Sequence, residues 1–400
     1  MKRLNILFLD IEGGHGGSSR SLFNTLKYID RENINPIIIC KKEGFVESYK
    51  KLNIPCFVEK TMPTFTVLNK ENRNFLYYIF FLFYIWPRSK KFRIKILKVI
   101  TDRKINLVHC NLISLFLLAK WLKKKRPELV FTLHVRTNPF NNITGKYQAK
   151  IANLVFDNKV FITENEKIKM NDLISPKTAS GEVIYNSVET KNRFLKNKID
   201  KDINKIKIIS LSNYSFFRGT DRIIDLARII PEEFKEKFIF FILGDYKLPR
   251  FLPGKLKILA LKGKTLKDYA ESQKVSHMIR FMGHVKNPEK FIKESNILIR
   301  PTREYNPWGR DVLEAMSFGK AIISVGSYDK FVKNEVNGFL QKEFDLEKLS
   351  KWLVNVAENS KILSVYGKNS LAIVKKLNNP ENSAKKLEKF WINSYSKIKK

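Results

Sequence analysis

The residues best suited to chemistry lie in the stretch Ile297–Leu340, where an apolar run leads into a Pro-Gly turn and then into a helical pattern. Pro307-Trp308-Gly309 would present backbone amides at the start of that helix, and such amides favour an anion. Glu314 follows about one turn later, with its side chain directed back toward the helix start. A carboxylate there can accept two hydrogen bonds from the vicinal hydroxyls of a ribose, while the amides take phosphate or sugar oxygens. The alternative is a capped helix with an exposed glutamate.

A second candidate is the glycine-rich loop Gly13-Gly14-His15-Gly16-Gly17, which follows an apolar run and precedes a helical pattern. Glycines let the backbone approach a ligand closely, and the amides at the following helix start favour an anion. Because the spacing lacks the full dinucleotide-binding fingerprint, a tight strand–helix turn remains the alternative.

Other motifs fail on spacing or context. The Gly-Lys-Thr at 263–265 resembles the end of a Walker phosphate loop, but that motif needs glycine where Ile258 stands. Asp200 and Asp202 resemble a metal-binding pair, but they lie in a lysine-rich run. The three cysteines are scattered and form no Cys-x-x-Cys pair. We therefore expect no metal, no cofactor and no disulfide framework.

Apolar runs that alternate with amphipathic stretches predict the elements that hold these residues. The strands expected are Asn5–Leu9, Pro36–Cys40, Leu107–Cys110, Val130–Leu133, Val160–Thr163, Val183–Tyr185, Ile206–Leu211, Phe238–Leu243, Ile279–Met282, Ile297–Arg300 and Ala321–Ser324. The main helices expected are Ser18–Ile29, Ser114–Lys124, Lys146–Val155, Asp221–Ile230, Leu266–Gln273, Pro288–Glu294, Asp311–Phe318 and Leu346–Glu358. This order predicts an α/β protein with two doubly wound parallel-sheet, Rossmann-like domains facing each other across a cleft.

A charged run marks the expected domain boundary. We predict an N-terminal domain over 1–189, a charged linker over 190–205, a C-terminal domain over 206–379 and a final helix over 380–400 that could return to the N-terminal domain.

The charge balance narrows the class of partner. Lys and Arg number 75 and Asp and Glu 39, so the formal net charge is +36. Such a charge favours nucleic acid, an anionic membrane or phosphorylated substrates, although an AT-rich coding sequence would also produce a lysine excess. The lysines are spread along the chain, and this argues against a nucleic-acid-binding protein.

The longest apolar run is Phe75–Trp86, FLYYIFFLFYIW, in which most residues are aromatic. As a helix it would reach roughly 18 Å, whereas a bilayer core is about 30 Å thick. Basic residues flank it, which is typical of shallow insertion at an anionic surface, the alternative being a buried core helix. The short first apolar run is followed by Asp10 and Glu12, so we expect no cleaved signal peptide.

Together these motifs resemble GT-B glycosyltransferases of family 4, also called group 1. The family usually carries two glutamates on this loop and helix, with seven residues between them. Here the variant N-P-W-G-R-D-x-x-E has Glu314 as the second and Asn306 in place of the first. The resemblance implies that Asn306 lies by the donor sugar and that Glu314 holds the ribose.

Five weaker matches accompany this motif. In SFFRGTDRII, Arg218 stands where the family has its diphosphate-binding lysine, but no basic residue precedes it by five or six positions. Gly16 and Gly17 match the first-domain loop that faces donor phosphate or acceptor, and His134 matches a histidine near the donor sugar. Residues 279–285, IRFMGHV, resemble the strand and loop where the base packs. IYNSVE, residues 184–189, resembles the end of the first domain.

The resemblance implies a retaining transfer of sugar from a nucleotide-sugar donor to a glycan or lipid-linked acceptor in cell-surface polysaccharide or glycolipid synthesis. His134 and Arg218 are the expected catalytic residues, and Gly16, Gly17, Asn306, Pro307, Trp308, Gly309 and Glu314 are the expected donor-binding residues. The acceptor would bind the first domain and the nucleotide the second. We expect a cytoplasmic protein at the inner face of an anionic membrane. A catalytically silent scaffold that binds a nucleotide sugar or a partner remains the alternative, because one acid is replaced by an amide.

Overall fold

The computed structural model describes residues 3–11, 17–69, 71–174, 181–190, 205–250 and 252–399. Contacts divide the chain into two units. Unit 1 comprises Met1–Ser187 and Asn378–Lys400, and unit 2 comprises Val188–Leu377. Most of the predicted charged linker, residues 191–204, lies outside the described residues.

Unit 1 is built on a seven-stranded parallel sheet of order β3-β2-β1-β4-β5-β6-β7. Its strands are β1 Leu4–Asp10, β2 Ile34–Cys40, β3 Cys56–Val58, β4 Leu107–Cys110, β5 Val130–Val135, β6 Asn158–Phe161 and β7 Glu182–Val183. Its helices are α1 Gly17–Tyr28, α2 Val46–Lys51, α3 Glu71–Phe80, α4 Trp86–Arg88, α5 Lys90–Asp102, α6 Phe116–Lys125, α7 Ile143–Val155, α8 Glu164–Asn171 and, at the end of the chain, α17 Pro380–Lys399. A π-helical turn, Phe81–Ile85, joins α3 to α4.

Helices cover both faces of this sheet, because alternate residues of β1 enter two different apolar clusters. Leu7 and Leu9 belong to one cluster, and Ile6 and Phe8 belong to the other. This alternation is the period of a strand that is buried on both faces.

Unit 2 is built on a six-stranded parallel sheet of order β10-β9-β8-β11-β12-β13. Its strands are β8 Ile206–Leu211, β9 Phe238–Leu243, β10 Ile279–Gly283, β11 Ile297–Arg300, β12 Ala321–Val325 and β13 Gly338–Gln341. Its helices are α9 Asp221–Ile229, α10 Glu232–Lys235, α11 Lys257–Leu261, α12 Leu266–Ser272, α13 Pro288–Glu294, α14 Arg310–Ser317, α15 Leu346–Glu358 and α16 Ile362–Leu377. The strand order reverses between β8 and β11, which is the position where ligands bind in open α/β sheets.

The predicted α/β class with two parallel sheets is confirmed, and the differences are local. β3 and β13 were not predicted. The expected strand Val160–Thr163 ends two residues early, because Thr163 caps α8 by accepting a hydrogen bond from the backbone of Asn165.

The run Phe75–Trp86 is helical, as predicted, but it is not a core helix around its whole circumference. Phe81 is buried, whereas Phe75, Leu76 and Phe83 are 64%, 65% and 78% exposed. Among the helices that the structure describes, none is long and apolar enough to cross a membrane.

Candidate functional site

The start of α14 in unit 2 is held by an ion pair that the sequence alone did not indicate. Arg300, the last residue of β11, donates from Nη1 to Asp311 Oδ2 at 2.7 Å and from Nε to the carbonyl of Asn306 at 3.1 Å. Both side chains of the pair are largely buried. Ser324, in β12, donates to the carbonyl of Pro307 at 2.8 Å. The turn before the helix is therefore tied to two neighbouring strands.

Gly309 is the residue immediately before α14, and space rather than backbone strain requires a glycine there. Its backbone is extended, with φ −178°. A Cβ atom at this position would lie 2.5 Å from Asp311 Oδ1 and 2.9 Å from Arg300 Nη1. The glycine thus makes room for the ion pair of Arg300 and Asp311 at the helix start. The backbone amides of that helix start favour an anion such as a phosphate.

Glu314 lies one turn into α14, as predicted, and its carboxylate is directed to the first turn. Its Oε1 accepts a hydrogen bond from Arg310 Nε at 2.8 Å, and both side chains are mostly buried. Arg310 lies inside the quoted motif, but the sequence pattern alone indicates no role for it. The pair places a carboxylate and a guanidinium beside the amides of the helix start.

The loop that carries Arg218 packs against the segment after β11. The carbonyl of Phe217 accepts hydrogen bonds from Thr302 Oγ1 at 3.0 Å and from the backbone of Arg303 at 2.8 Å. Gly219 has φ 70°, and a Cβ there would lie 2.1 Å from the carbonyl oxygen of Pro301. Arg218 itself is exposed. Its loop therefore adjoins the segment that leads to Asn306, Gly309 and Glu314.

A buried ion pair locks these two loops together. Arg303 binds Asp221 through two hydrogen bonds, of 2.8 and 2.6 Å, and its guanidinium lies 4.4 Å from the ring centroid of Phe216. Asp221 is the aspartate of the sequence motif that contains Arg218. Its observed function is to hold the loop after β8 against the loop after β11.

The loop before α14 contains buried polar atoms with no hydrogen-bond partner among the described residues. These atoms are Asn306 Oδ1 and Trp308 Nε1. Tyr305 adopts a left-handed backbone with φ 50°, which costs roughly 1–2 kcal/mol in a residue other than glycine. Strain and unsatisfied polar atoms are both enriched at ligand sites.

In unit 1, polar side chains gather where β1, β4 and α1 meet. Asp10 ends β1 and accepts hydrogen bonds from Ser19 at 2.5 Å and from Asn111 at 3.0 Å. Asn111 Nδ2 also donates to the carbonyl of Ser18 at 3.3 Å. Gly17, exposed, is the first residue of α1. Gly16 and the rest of the predicted glycine loop lie outside the described residues.

His134 lies near the end of β5 beside Arg136, and the pair continues this cluster. Arg136 donates from Nε to Asn111 Oδ1 at 2.9 Å and from Nη1 to Asn186 Oδ1 at 2.8 Å. Its Nη2 is 3.1 Å from Nδ1 of His134. Because a guanidinium only donates, Nδ1 accepts and the neutral ring carries its proton on Nε2. Burial, followed by the charge of Arg136, lowers the pKa of His134 well below its usual range.

His134 therefore fits a hydrogen-bond donor and not a general base. Its Nε2 is buried and has no partner among the described residues. Sequence reasoning missed Asn111 and Arg136. Each of them directly follows the last residue of a strand, and polar residues at that position indicate a site in a parallel sheet. Within the described residues, no group of three or more His, Cys, Asp or Glu side chains could hold a metal ion.

Comparison with known proteins agrees with these features. The family model described as "Glycosyl transferases group 1" matches residues 191–391, half of the chain, and "Glycosyltransferase Family 4" matches residues 15–192. An uncharacterized glycosyltransferase of Methanocaldococcus jannaschii, MJ1069, is 23% identical over 295 residues, which are 69% of this chain and 70% of that protein. A second from the same organism, MJ1059, is 26% identical over 60% of each protein.

Solved structures show the fold. HepE of Anabaena in complex with UDP-glucose is 17% identical with a TM-score of 0.75, over 98% of this chain and 100% of that chain. Sucrose-phosphate synthase of Thermosynechococcus elongatus is 12% identical with a TM-score of 0.75 over the same shares. The two-unit architecture is thus GT-B. With family models that cover both halves, the chain belongs to the group 1 glycosyl transferases and is a glycosyltransferase.

Proposed function

We propose that this chain transfers a sugar from a nucleotide-sugar donor to a glycan or lipid-linked acceptor, with retention of configuration, in cell-surface polysaccharide or glycolipid synthesis. The observation that carries the proposal is the pairing of Glu314 with the amide-bearing start of α14, beside the loop of Arg218 at the reversal of strand order. A ribose and a diphosphate are the two chemical groups that this arrangement suits.

Each donor-binding group has a distinct task in this proposal. The carboxylate of Glu314 accepts hydrogen bonds from the ribose hydroxyls. The amides that follow Pro307 and Trp308, at Gly309 and the first turn of α14, meet the diphosphate. Asn306 Oδ1, buried without a described partner, accepts a hydrogen bond from a sugar hydroxyl.

Catalysis then depends on stabilising the departing diphosphate. The acceptor hydroxyl attacks C1 on the face that the diphosphate leaves. The C1–O bond to acceptor forms as the C1–O bond to phosphate breaks, and the acceptor proton passes to the leaving phosphate oxygen. Arg218 offers a bidentate guanidinium to the growing charge. We propose that these positive groups act without a metal.

The first-domain residues have separate roles in this proposal. His134, neutral, would donate from Nε2 to a sugar oxygen. Gly16 and Gly17 would face the donor phosphate or the acceptor.

Solved neighbours support the donor class. HepE of Anabaena has been solved in complex with UDP, with UDP-glucose, and with UDP and glucose, and a TarM variant of S. aureus with UDP. Their identities of 13–17% give no basis for choosing the nucleotide here. A thermal-shift panel of UDP, GDP and ADP with their sugars makes that choice, because a ligand at one hundred times its Kd adds about 2.7 kcal/mol of stability.

The decisive test replaces Glu314. Glu314→Ala should weaken nucleotide binding by about 1.5–3 kcal/mol, the range for hydrogen bonds to charged groups. Calorimetry measures this, with Glu358→Ala, an exposed glutamate at the end of α15, as the matched control. Unchanged affinity in Glu314→Ala would refute the ribose role.

Two further measurements test turnover and stereochemistry. Binding without turnover of any donor would favour the catalytically silent scaffold. NMR of the product anomer tests retention of configuration.

We also propose that the protein acts in the cytoplasm at the inner face of an anionic membrane, which holds its acceptor. The exposed Phe75, Leu76 and Phe83 and the net charge of +36 support this. Flotation with anionic vesicles at low salt tests it, and a protein that stays in the lower fraction contradicts it.

A further inference from the structure

Beside the exposed helix in unit 1 lies an apolar groove that the glycosyl-transfer chemistry does not use. One wall is formed by Phe81 and Leu82 of the π-helical turn and by Trp86. The other wall is formed by Leu117 and Trp121 of α6. The groove holds about 230 Å³. Since water occupies about 30 Å³ in the liquid, this is room for a short stretch of hydrocarbon chain.

Aromatic packing makes the groove a formed feature of the surface. The ring of Trp86 packs edge-on against Trp121, with centroids 6.2 Å apart, and lies 5.8 Å from the ring of Phe81. Arg93 of α5 places its guanidinium 4.1 Å from the centroid of Trp86 and 5.4 Å from that of Trp121. Its Nη2 also donates to the carbonyl of Trp86 at 3.2 Å. Both tryptophans are thus positioned from a third helix.

The rim of the groove is cationic. Lys120 and Lys124 line it and lie on the same face of α6 as Leu117 and Trp121, because residues three and four apart share a helix face. Both lysines are exposed. In the part of the chain that the structure describes, neither has an ion-pair partner within 4.0 Å. An apolar slot with ammonium groups at its edge matches a molecule that has a hydrocarbon chain and an anionic head.

The surface around the groove is also apolar, and it extends over two helices. Ile143, Tyr147 and Leu154 are exposed along one face of α7, which packs beside α3. On α3 and the turn after it, Ile79 and Phe83 are exposed as well. An extended apolar surface with basic neighbours is typical of contact with the interfacial region of a bilayer.

We propose that this groove binds one acyl chain of an anionic membrane phospholipid, with the headgroup phosphate at Lys120 and Lys124. The inference rests on the membrane association in the proposed function and names the lipid site that produces it. The exposed face of α3 enters the headgroup region, and the groove takes up a single chain from the same leaflet.

Brominated lipid tests the groove directly, because bromine on an acyl chain quenches tryptophan fluorescence on contact. Vesicles with brominated phosphatidylglycerol should quench part of the emission, and the double variant Trp86→Phe, Trp121→Phe should lose that part. The other tryptophans, Trp308, Trp352 and Trp391, are buried elsewhere in the fold. Quenching that is unchanged in the double variant, or absent in the native protein, would overturn the proposal.

Monomeric lipid separates a site from adsorption to a surface. Dihexanoyl phosphatidylglycerol below its micelle concentration should shift the tryptophan emission in a saturable way, and dihexanoyl phosphatidylcholine should do so more weakly. An effect of inorganic phosphate alone that equals that of the lipid would contradict a chain-binding site, as would no response to either lipid.

Charge variants complete the test. Lys120→Gln with Lys124→Gln should weaken binding to phosphatidylglycerol vesicles about 30-fold, whereas Lys385→Gln with Lys386→Gln, exposed on α17, should retain most of it. Equal loss in the two variants would mean that only net charge matters. Thermal stabilisation by the preferred nucleotide should persist in both. A variant that loses lipid binding but keeps nucleotide binding therefore supports the lipid site and leaves the proposed function intact. A native protein that binds no nucleotide would instead contradict the proposed function.

Discussion

Two buried histidines in unit 1 show how surroundings decide a side chain's chemistry. Trp391 donates from Nε1 to Nδ1 of His109 at 3.2 Å, so this ring, like His134, is neutral with its proton on Nε2. Burial, with a smaller contribution from Arg136, lowers the pKa of His109 to about 3. Neither histidine is suited to accept a proton near neutral pH.

This predicts acid sensitivity of unit 1. A histidine with a lowered pKa binds fewer protons when folded than when unfolded, so its contribution to stability is full above pH about 6.5 and falls below it. For His109 the loss should be about 1.6 kcal/mol between pH 6.5 and pH 5, because the folded ring stays neutral while the unfolded ring gains a proton. His134 should act in the same direction. Hydrogen exchange of unit 1 peptides at the two pH values measures this. His109→Gln should reduce the difference, while His277→Gln, on the surface of unit 2, should not. A protection factor, corrected for the intrinsic pH dependence of exchange, that is the same at the two pH values in the native protein contradicts the prediction.

Glycine is required at position 309 because a larger side chain would make a close contact, and not because of the backbone angle. Gly309→Ala should push Asp311 away from Arg300, because the new Cβ would lie 2.5 Å from Asp311 Oδ1. Overpacking of this kind costs about 1–3 kcal/mol, and the loss should appear in nucleotide affinity because the helix start moves. Calorimetry checks this. As a control, Ala260→Gly in α11 should leave affinity unchanged. Full nucleotide affinity in Gly309→Ala would show that the ion pair does not position the site.

At the scale of elements, the sheet brings together residues that are far apart in sequence. The loops after β8 and β11 meet because these strands are neighbours, with Ile208 opposite Ile297. Arg303 and Asp221 then join them. Asp221→Asn should destabilise unit 2 by about 3 kcal/mol, because a buried arginine loses its anionic partner.

Urea unfolding followed by hydrogen exchange in unit 2 measures that cost. Glu47→Gln, which removes the exposed pair with Lys50 in unit 1, should cost at most about 1 kcal/mol. Comparable losses in the two variants would show that the Asp221 pair stabilises no more than a surface pair does.

How much the sequence predicts also differs by element. Long apolar strands such as β9 were predicted to the residue, because burial on both faces leaves a continuous signal. β3 has only three residues, and β13 opens with Gly338 at φ 148°, so neither carries that signal. Glu314 and Gly309 were predicted from local spacing. Arg136 was not, because its partners Asn111 and Asn186 lie 25 and 50 residues away.

At the scale of the whole molecule, the C-terminal helix completes the core that contains the first strand of the chain. α17 packs on α1, and Ala384, Leu387, Phe390 and Trp391 are buried in the same cluster as β1. The ring of Trp391 lies 5.0 Å from that of Phe8. The group 1 family model extends to residue 391, yet residues from Asn378 onward belong to unit 1. Unit 1 is therefore completed only when the last helix has been made.

Removing α17 should consequently unfold unit 1 and leave unit 2 folded. Loss of a single buried Phe or Trp side chain costs about 3–5 kcal/mol, and a typical domain has only about 5–15 kcal/mol in total. In a chain that ends at Leu377, hydrogen exchange should show β1 and α1 unprotected and β8 protected. Addition of the separate peptide 378–400 should restore protection in β1, because the binding free energy then contributes to folding. Protection of β1 in the shortened chain without the peptide would show that α17 covers the sheet without stabilising it.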